Sequence, residues 1–164
     1  IPCSNHGFTA AHQGAKMRPM QTRRNAATRQ DHHLHSVAIR EAEMKTIMLV
    51  DDSATILLSI SNILAKGGYG VEKASNAAEA LAKFNGGVKV DLLITDLNMP
   101  GMNGIDFIKE VRKLPAYKFM PILFLTTESQ QSRKMEAKAA GASGWLVKPA
   151  TADELLGTIK LVLR

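Results

Sequence analysis

The sequence has very little cysteine and no long apolar run. Its single cysteine, Cys3, excludes an intrachain disulfide and is typical of a reducing compartment. No apolar run approaches the roughly 20 residues that a transmembrane helix needs. The amino terminus also lacks the apolar centre of a secretory signal. These absences predict a cytoplasmic protein without a membrane-spanning segment.

Concentrated positive charge is also missing once the first 43 residues are set aside. The chain has a formal net charge of +6, but residues 1–43 hold all five histidines and six of the 21 lysines and arginines, with only three of the 15 acidic residues. Residues 44–164 therefore carry a net charge of +3, from 15 basic and 12 acidic residues. Their basic residues are scattered rather than gathered on one predicted face, which argues against a nucleic-acid-binding protein.

The composition changes at Met44. At 164 residues, of which 45% are hydrophobic, the chain has room for one ordinary globular domain. Residues 1–43 are polar and have neither a helical nor a strand period, which predicts disorder. We interpret them as an extension that comes from an expression vector or from a misread upstream start, and we expect the domain to span residues 44–164.

Two functional interpretations of residues 1–43 compete with this one. The arginines would suit an arm that binds nucleic acid or acidic lipid, and a histidine cluster would suit a metal ion. The arginines are better explained as part of the extension described above, and the histidines, on a flexible tail, as ordinary polar sequence. The residues concerned are Arg18, Arg23, Arg24 and Arg29 for the arm, and His32, His33 and His35 for the metal ion.

After Met44, short apolar runs of strand length alternate five times with segments of helical period. The spacing of Asn76 to Glu79 and of Thr151 to Glu154 suits capping boxes at the start of the second and fifth helices. This strict alternation predicts an open, doubly wound parallel sheet with helices on both faces. The predicted strands are residues 47–50, a segment around residue 71, and residues 92–94, 122–125 and 145–147, and the predicted fourth helix runs from about residue 129 to residue 140.

Polar residues follow four of the five predicted strands. Because the carboxyl ends of parallel strands lie at one edge of a sheet, where ligands bind, we expect these residues to share a pocket. Three carboxylates there would repel each other unless a lysine and a hard divalent ion, Mg²⁺, compensated their charge. The residues are Asp51 and Asp52 after the first strand, Asp96 after the third, Thr126 after the fourth and Lys148 after the fifth.

The predicted pocket contains what phosphoryl transfer requires: an oxygen nucleophile, a metal ion, a lysine and a hydroxyl donor. Each residue by itself also has a structural explanation. Asp51 and Asp52, for example, would favour the start of a helix through its dipole. Their occurrence together at successive strand ends nevertheless favours a shared site.

Four segments of the sequence resemble the receiver domains of two-component signalling, and the resemblance covers nearly all of residues 44–164. It implies a flavodoxin-like, CheY-like α/β fold with a five-stranded parallel sheet of order 2-1-3-4-5 and five helices. Residues 113–119 also resemble the chemotaxis branch of the family, the CheY-type response regulators. The four segments are VDDS at 50–53, ITDLNMPGMNG at 94–104, LTTE at 125–128 and GWLVKP at 144–149.

The resemblance implies a phosphoacceptor and a magnesium site. Asp96 would take the phosphoryl group. Asp52 and Asp96 would bind Mg²⁺ directly, and Asp51 would act largely through water. The backbone carbonyl of Asn98 would complete the protein ligands.

The same resemblance implies roles for the surrounding residues. Lys148 would pair with the phosphoryl group. The peptide bond from Lys148 to Pro149 would be cis. The Thr126 hydroxyl would swing toward the phosphoryl group in the active state, accompanied by an inward rotation of Trp145. The alternative is that Trp145 is a core residue that never moves. Asn98 and Glu128 would tune how readily water attacks the acyl phosphate.

The resemblance also implies protein partners. A sensor histidine kinase of the CheA type would donate the phosphoryl group, and the chain would catalyse only its own phosphorylation and dephosphorylation. The output surface would comprise the fourth helix, fifth strand and fifth helix, which in chemotaxis members binds the flagellar motor switch; Ala150 here departs from a frequent Phe. A phosphatase is a further expected partner. We expect a stand-alone response regulator, with no second domain after Arg164, and we expect it to be a monomer.

Three other functions fit the sequence less well. A phosphatase of the aspartyl-phosphate class would have a second Asp two positions after its nucleophile, where this chain has Asn98. A flavin-binding protein would have a Ser-, Thr- and Gly-rich phosphate loop after the first strand, where this chain has DDSA at 51–54. A receiver domain that has lost phosphorylation would lack an acceptor-site residue, and none is missing.

Overall fold

The computed structural model describes residues 44–164, so the predictions for residues 1–43 lie outside the described part of the chain. The described residues form a five-stranded sheet in the order β2-β1-β3-β4-β5, and all neighbouring strands pair in parallel. This confirms the predicted doubly wound sheet and its strand order. The strands are β1 (Thr46–Val50), β2 (Gly70–Ala74), β3 (Leu92–Thr95), β4 (Ile122–Thr126) and β5 (Gly144–Val147).

An α-helix follows each strand, as the alternation of apolar periods predicted. A short 3₁₀ helix, Pro115–Tyr117, lies between the third helix and β4. Within residues 44–164, none of the helices is long and apolar enough to cross a membrane. The α-helices are α1 (Ala54–Lys66), α2 (Ala77–Asn85), α3 (Gly104–Lys113), α4 (Gln131–Ala139) and α5 (Ala152–Val162).

Two apolar layers cover the two faces of the sheet. Neighbouring residues of a strand point to opposite faces, so Ile47 and Met48 of β1 belong to different layers. One layer contains the buried faces of α2, α3 and α4, and the other contains those of α1 and α5. Because helices cover both faces, the inner strands β1, β3 and β4 have continuous apolar runs, whereas the edge strand β2 includes Glu72 and Lys73.

The two predicted capping boxes differ in the structure. Thr151 and Glu154 form the complete reciprocal pair at the start of α5. At the start of α2, Asn76 accepts from the Glu79 N–H, but the Glu79 carboxylate accepts from the N–H (2.8 Å) and hydroxyl (2.7 Å) of Ser75 instead of returning to Asn76. These bonds, the backbone one first, lower the pKa of Glu79. The second half of this predicted box is therefore wrong, because Ser75 offers two donors one residue earlier.

The fourth helix begins two residues later than predicted. The carboxylate of Glu128 accepts hydrogen bonds from the backbone N–H groups of Ser129 and Gln130, both at 2.8 Å. Gln130 is the N-cap residue and has an extended backbone conformation, so α4 starts at Gln131. The side chain of Glu128 therefore shapes the loop between β4 and α4.

We expect truncation of Phe107 to destabilise the domain strongly. Phe107 lies on α3, is fully buried and belongs to the larger apolar layer. Phe107→Ala would leave a cavity and lower the free energy of unfolding by about 3–5 kcal/mol, measured by urea denaturation. Leu58→Ala on α1 is the matched control, because Leu58 is 60% exposed and its truncation should change stability by no more than about 0.5 kcal/mol. Equal effects of the two substitutions would contradict the assigned core.

Candidate functional site

The residues predicted to form a site lie at the carboxyl edge of the sheet. Asp51 follows β1, Asp96 follows β3, Thr126 is the last residue of β4 and Lys148 follows β5. These four strands are consecutive in the sheet, so their carboxyl ends are neighbours. The fold therefore brings together residues that are up to 97 positions apart in the sequence.

Three carboxylates form the centre of this edge. Asp51, Asp52 and Asp96 each offer an oxygen atom, and these atoms lie within 4.8 Å of one another. Asp51 and Asp96 are only 2% and 9% exposed, whereas Asp52 is exposed to solvent. The cluster is thus buried on one side and open on the other, which leaves room for a ligand to approach.

Lys148 connects two of these carboxylates. Its ammonium group donates to Asp51 Oδ2 at 2.5 Å and to Asp96 Oδ2 at 3.2 Å, and its side chain is only 14% exposed. Burial lowers the pKa of Lys148. The hydrogen bonds and charges of the two carboxylates, Asp51 first, outweigh burial and raise that pKa above its ordinary value. The amine therefore stays protonated and compensates part of the negative charge.

The backbone around Lys148 fixes the start of this side chain. The N–H of Lys148 donates to the carbonyl of Thr126 at 2.8 Å, which extends the pairing of β5 with β4 by one residue. The bond from Lys148 to Pro149 is cis, as the resemblance implied. Lys148 consequently leaves the sheet from a defined position next to the end of β4.

The two oxygen atoms of Asp96 have different surroundings. Oδ1 accepts hydrogen bonds from the backbone N–H groups of Leu97 (2.7 Å) and Asn98 (3.3 Å). Oδ2 accepts from Lys148 at 3.2 Å. The backbone therefore orients the carboxylate through one oxygen atom and presents the other to the lysine.

The donor set suits a magnesium ion. Mg²⁺ prefers hard oxygen ligands and is usually bound by one or two carboxylates together with water and phosphate oxygens. Asp51, Asp52 and Asp96 supply carboxylate oxygens within the required span, and the exposed side of Asp52 leaves space for water. Asn98, whose carbonyl was predicted as a further ligand, lies in the same turn as Asp96.

Thr126, Glu128 and Trp145 form a second group beside the carboxylates. Thr126 is fully buried, and its hydroxyl oxygen accepts from the N–H of Glu128 at 3.3 Å. Trp145 packs against Phe124, with 5.2 Å between ring centroids, and its indole N–H donates to the Glu128 carbonyl at 3.1 Å. The backbone of Glu128 therefore links the two residues that the resemblance assigned to a switch.

The sequence did not reveal the role of Gly104, although the residue lies inside one of the matching segments. Gly104 begins α3, and a Cβ added to it would lie 2.3 Å from the carbonyl oxygen of Asp96 and 2.9 Å from the Cα of Leu97. Only glycine allows this close approach of helix and loop. The position of Gly104 at the end of the matching segment ITDLNMPGMNG was the available signal.

Comparison with known proteins decides the family. The model of the response regulator receiver domain matches residues 47–160. The chain belongs to the response regulator receiver family. It is 38% identical over 118 residues to the chemotaxis protein CheY1 of Helicobacter pylori, which covers 71% of this chain and 95% of that protein. It is 38% identical to the chemotaxis protein CheY of Pseudomonas aeruginosa, over 71% of this chain and 94% of that protein.

Solved structures agree with this assignment. Chemotaxis protein CheY4 of Vibrio cholerae, crystallised at low pH, has a TM-score of 0.70 and 47% sequence identity, over 73% of this chain and 98% of that chain. A CheY-like receiver domain protein from Methanospirillum hungatei has a TM-score of 0.69 and 32% identity, over 74% of this chain and 94% of that chain. The structural likeness confirms the CheY-like fold.

Membership makes the chain a response regulator of the CheY type. Receiver domains of this type are phosphoacceptors that bind Mg²⁺ at an acidic pocket, and the aspartate cluster of this chain lies at such a pocket. Their phosphoryl group comes from a histidine kinase, so the family implies a partner of that class.

We expect Lys148→Met to destabilise this receiver domain by about 2–3 kcal/mol near pH 7, less than for a fully buried ion pair, because it leaves two buried carboxylates without their cation. Because the pKa of Lys148 is raised in the folded state, the contribution of Lys148 to the free energy of unfolding depends on pH. It is fully present below the pKa of an unfolded lysine, about 10.4, and is lost as pH rises through the higher pKa of the folded state.

Urea denaturation between pH 7 and pH 11.5 checks this, with Lys138→Met as the control, because Lys138 is exposed on α4. The difference in stability between the unmodified chain and Lys148→Met should stay constant to about pH 10 and then shrink. A difference that grows above about pH 10 would contradict the assigned ion pairs.

Proposed function

We propose that this chain is a phosphorylated switch in chemotaxis, in which Asp96 accepts a phosphoryl group from a sensor histidine kinase of the CheA type. The observation that carries the proposal is the position of Asp96. Its Oδ1 is held by two backbone N–H groups, while its Oδ2 lies 3.2 Å from Lys148 at the edge of the sheet. A nucleophile requires this combination of a fixed direction and a nearby positive charge.

In the proposed reaction, one carboxylate oxygen of Asp96 attacks the phosphorus atom of a phosphohistidine. An O–P bond forms and the P–N bond breaks, so that the imidazole leaves with the electron pair and takes up a proton. The ammonium of Lys148 would move from the carboxylates to the equatorial phosphoryl oxygens, where it would neutralise charge that develops in the transition state. The chain would thus catalyse only its own phosphorylation and the later hydrolysis.

Asp51, Asp52 and Asp96, with the carbonyl of Asn98, would hold the magnesium ion. The ion supplies charge neutralisation and orients the phosphoryl oxygens when it is bound. The mutual span of the three carboxylates, within 4.8 Å, supports this ligand set. Following the family resemblance, we further propose that Asp52 and Asp96 bind the metal directly and that Asp51 acts mainly through water.

Thr126 and Trp145 would convert phosphorylation into a change of surface. The phosphoryl group adds nearly two negative charges beside a buried hydroxyl, and such a charge biases a domain that already samples two arrangements. The shared contacts of Thr126 and Trp145 with the backbone of Glu128 support their coupling. Asn98 and Glu128, in turns next to the acceptor edge, would tune the rate at which water attacks the acyl phosphate.

The chemotaxis assignment rests on the relatives named CheY. We propose that the output surface comprises α4, β5 and α5 and that it binds a flagellar motor switch protein, with a phosphatase as a further partner. Each of these three elements has a large exposed apolar side chain, which supports a contact surface there: Met135 on α4 (64% exposed), Val147 on β5 (40%) and Leu161 on α5 (61%). We further propose that the chain acts as a monomer.

The central prediction is phosphorylation at Asp96. Residues 1–164 with Mg²⁺ and phosphoramidate should gain the mass of one phosphoryl group, and Asp96→Asn should abolish the gain because the amide is not a nucleophile. Removing Mg²⁺ with a chelator should also abolish it. Intact-mass spectrometry measures the gain, and fluorescence of Trp145, the single tryptophan of the chain, should change in parallel.

Asp153→Asn is the matched control for this experiment, because Asp153 is an exposed acid in the first turn of α5. It should take up the phosphoryl group at the unmodified rate. Modification that persists in Asp96→Asn, or its absence even with a competent histidine kinase, would count against the proposed acceptor.

We also predict that residues 1–43 are dispensable. All the contacts described above, and all three carboxylates, lie within residues 44–164. Residues 44–164 alone should have the same midpoint of urea denaturation and the same phosphorylation rate as the full chain. A change in either quantity would assign a function to the amino-terminal segment.

A further inference from the structure

The peptide bond that follows Asp96 carries the closer of the two N–H groups that hold the acceptor carboxylate. Its N–H, that of Leu97, donates to Asp96 Oδ1 at 2.7 Å. Its C=O, that of Asp96, accepts from the hydroxyl of Thr95 at 3.0 Å. A trans peptide unit is planar, and its C=O and N–H point in opposite directions. Whatever orients the carbonyl therefore also aims the N–H at the carboxylate.

Thr95 is well placed to orient this carbonyl. Thr95 is the last residue of β3 and is fully buried, so the strand fixes its backbone and water does not compete for its hydroxyl. On another side of the same carbonyl, Gly104 approaches so closely that a Cβ would lie 2.3 Å from the oxygen atom. The carbonyl is thus confined by a hydrogen bond and by the start of α3.

From this geometry we infer that Thr95 is a positioning residue for the phosphoacceptor: its hydroxyl sets the plane of the 96–97 peptide, and that plane directs Asp96 Oδ1. Asp96 Oδ2 is then left facing Lys148. Without the hydroxyl, the peptide plane would rotate more freely, and the Leu97 N–H would no longer be held toward Asp96 Oδ1. The inference rests on the proposed function of Asp96 as the acceptor.

The expected effect is kinetic. Displacements of about 1 Å in a reacting group can lower a rate by about 10²-fold, so a partial loss of orientation should lower the rate constant for phosphorylation by about tenfold. Thr95 is fully buried and its hydroxyl donates within the chain, so we expect the concentration of phosphodonor that gives half the maximal rate to stay within about twofold of the unmodified value. Thr95→Val keeps the shape of the side chain, so a loss of packing would not explain a lower rate constant at an unchanged half-saturating concentration of phosphodonor.

The experiment compares four full-length proteins: the unmodified chain, Thr95→Val, Thr95→Ser and Ser61→Ala. Thr95→Ser restores the hydroxyl and should restore the rate. Ser61→Ala is the matched control, because Ser61 is also buried and donates to a backbone carbonyl at 3.0 Å, but on α1. It should leave the rate of phosphorylation by phosphoramidate and Mg²⁺ unchanged.

A second measurement is independent of phosphorylation. In ¹H–¹⁵N correlation spectra, the amide proton of Leu97 should lie downfield because it donates to a carboxylate, and it should move upfield in Thr95→Val but not in Thr95→Ser or Ser61→Ala. Should Thr95→Val not fold, Thr95→Cys replaces it, since a thiol is a much weaker donor, and the same order of rates is expected.

Two results would overturn the inference: an unmodified phosphorylation rate in Thr95→Val, or an equal loss of rate in Thr95→Ser. An unmoved Leu97 amide in Thr95→Val would also overturn it, whatever the rates. Failure of the proposed function has a different signature, because then the unmodified chain itself takes up no phosphoryl group while the Leu97 amide still reports on the contact.

Discussion

The ion pairs of Lys148 with Asp51 and Asp96 are the interaction on which the site depends. The three residues follow three different strands, and the lysine is 97 and 52 positions away from its partners. The parallel sheet, in the order β2-β1-β3-β4-β5, brings them to one edge. Three carboxylates within 4.8 Å would otherwise repel each other, so the same cation supports the local fold and prepares the site for a phosphoryl group.

The site combines a rigid acceptor with a group of residues linked through one turn. Asp96 is held through its carboxylate, its peptide carbonyl and the close approach of Gly104. Thr126 and Trp145 are instead linked through Glu128, because each forms a hydrogen bond with the backbone of that residue. A fixed nucleophile favours reaction, whereas a linked pair beside it can respond to added charge. The two requirements are therefore met by separate loops at the same sheet edge.

Much of the fold could be predicted because apolar periods report directly on the faces of strands and helices. All five strands were located, and the complete capping box at Thr151 was found. The details that failed depend on competition between nearby donors. Ser75 displaces Asn76 as the donor to Glu79, and Glu128 delays the start of α4 by holding the N–H groups of Ser129 and Gln130. The spacing of residues along the chain does not show which of several nearby donors will form the hydrogen bond.

The sequence by itself determined the fold class and the residues that collect at the carboxyl edge of the sheet, because alternating periods specify parallel strands and parallel strands share one edge. Only the tertiary structure decided which carboxylates are buried, that Lys148 binds Asp51 as well as Asp96, and that Gly104 and Thr95 enclose the carbonyl of the acceptor. These features are distances between atoms of separate elements. They depend on how helices and loops pack on the sheet, which no local pattern of residues specifies.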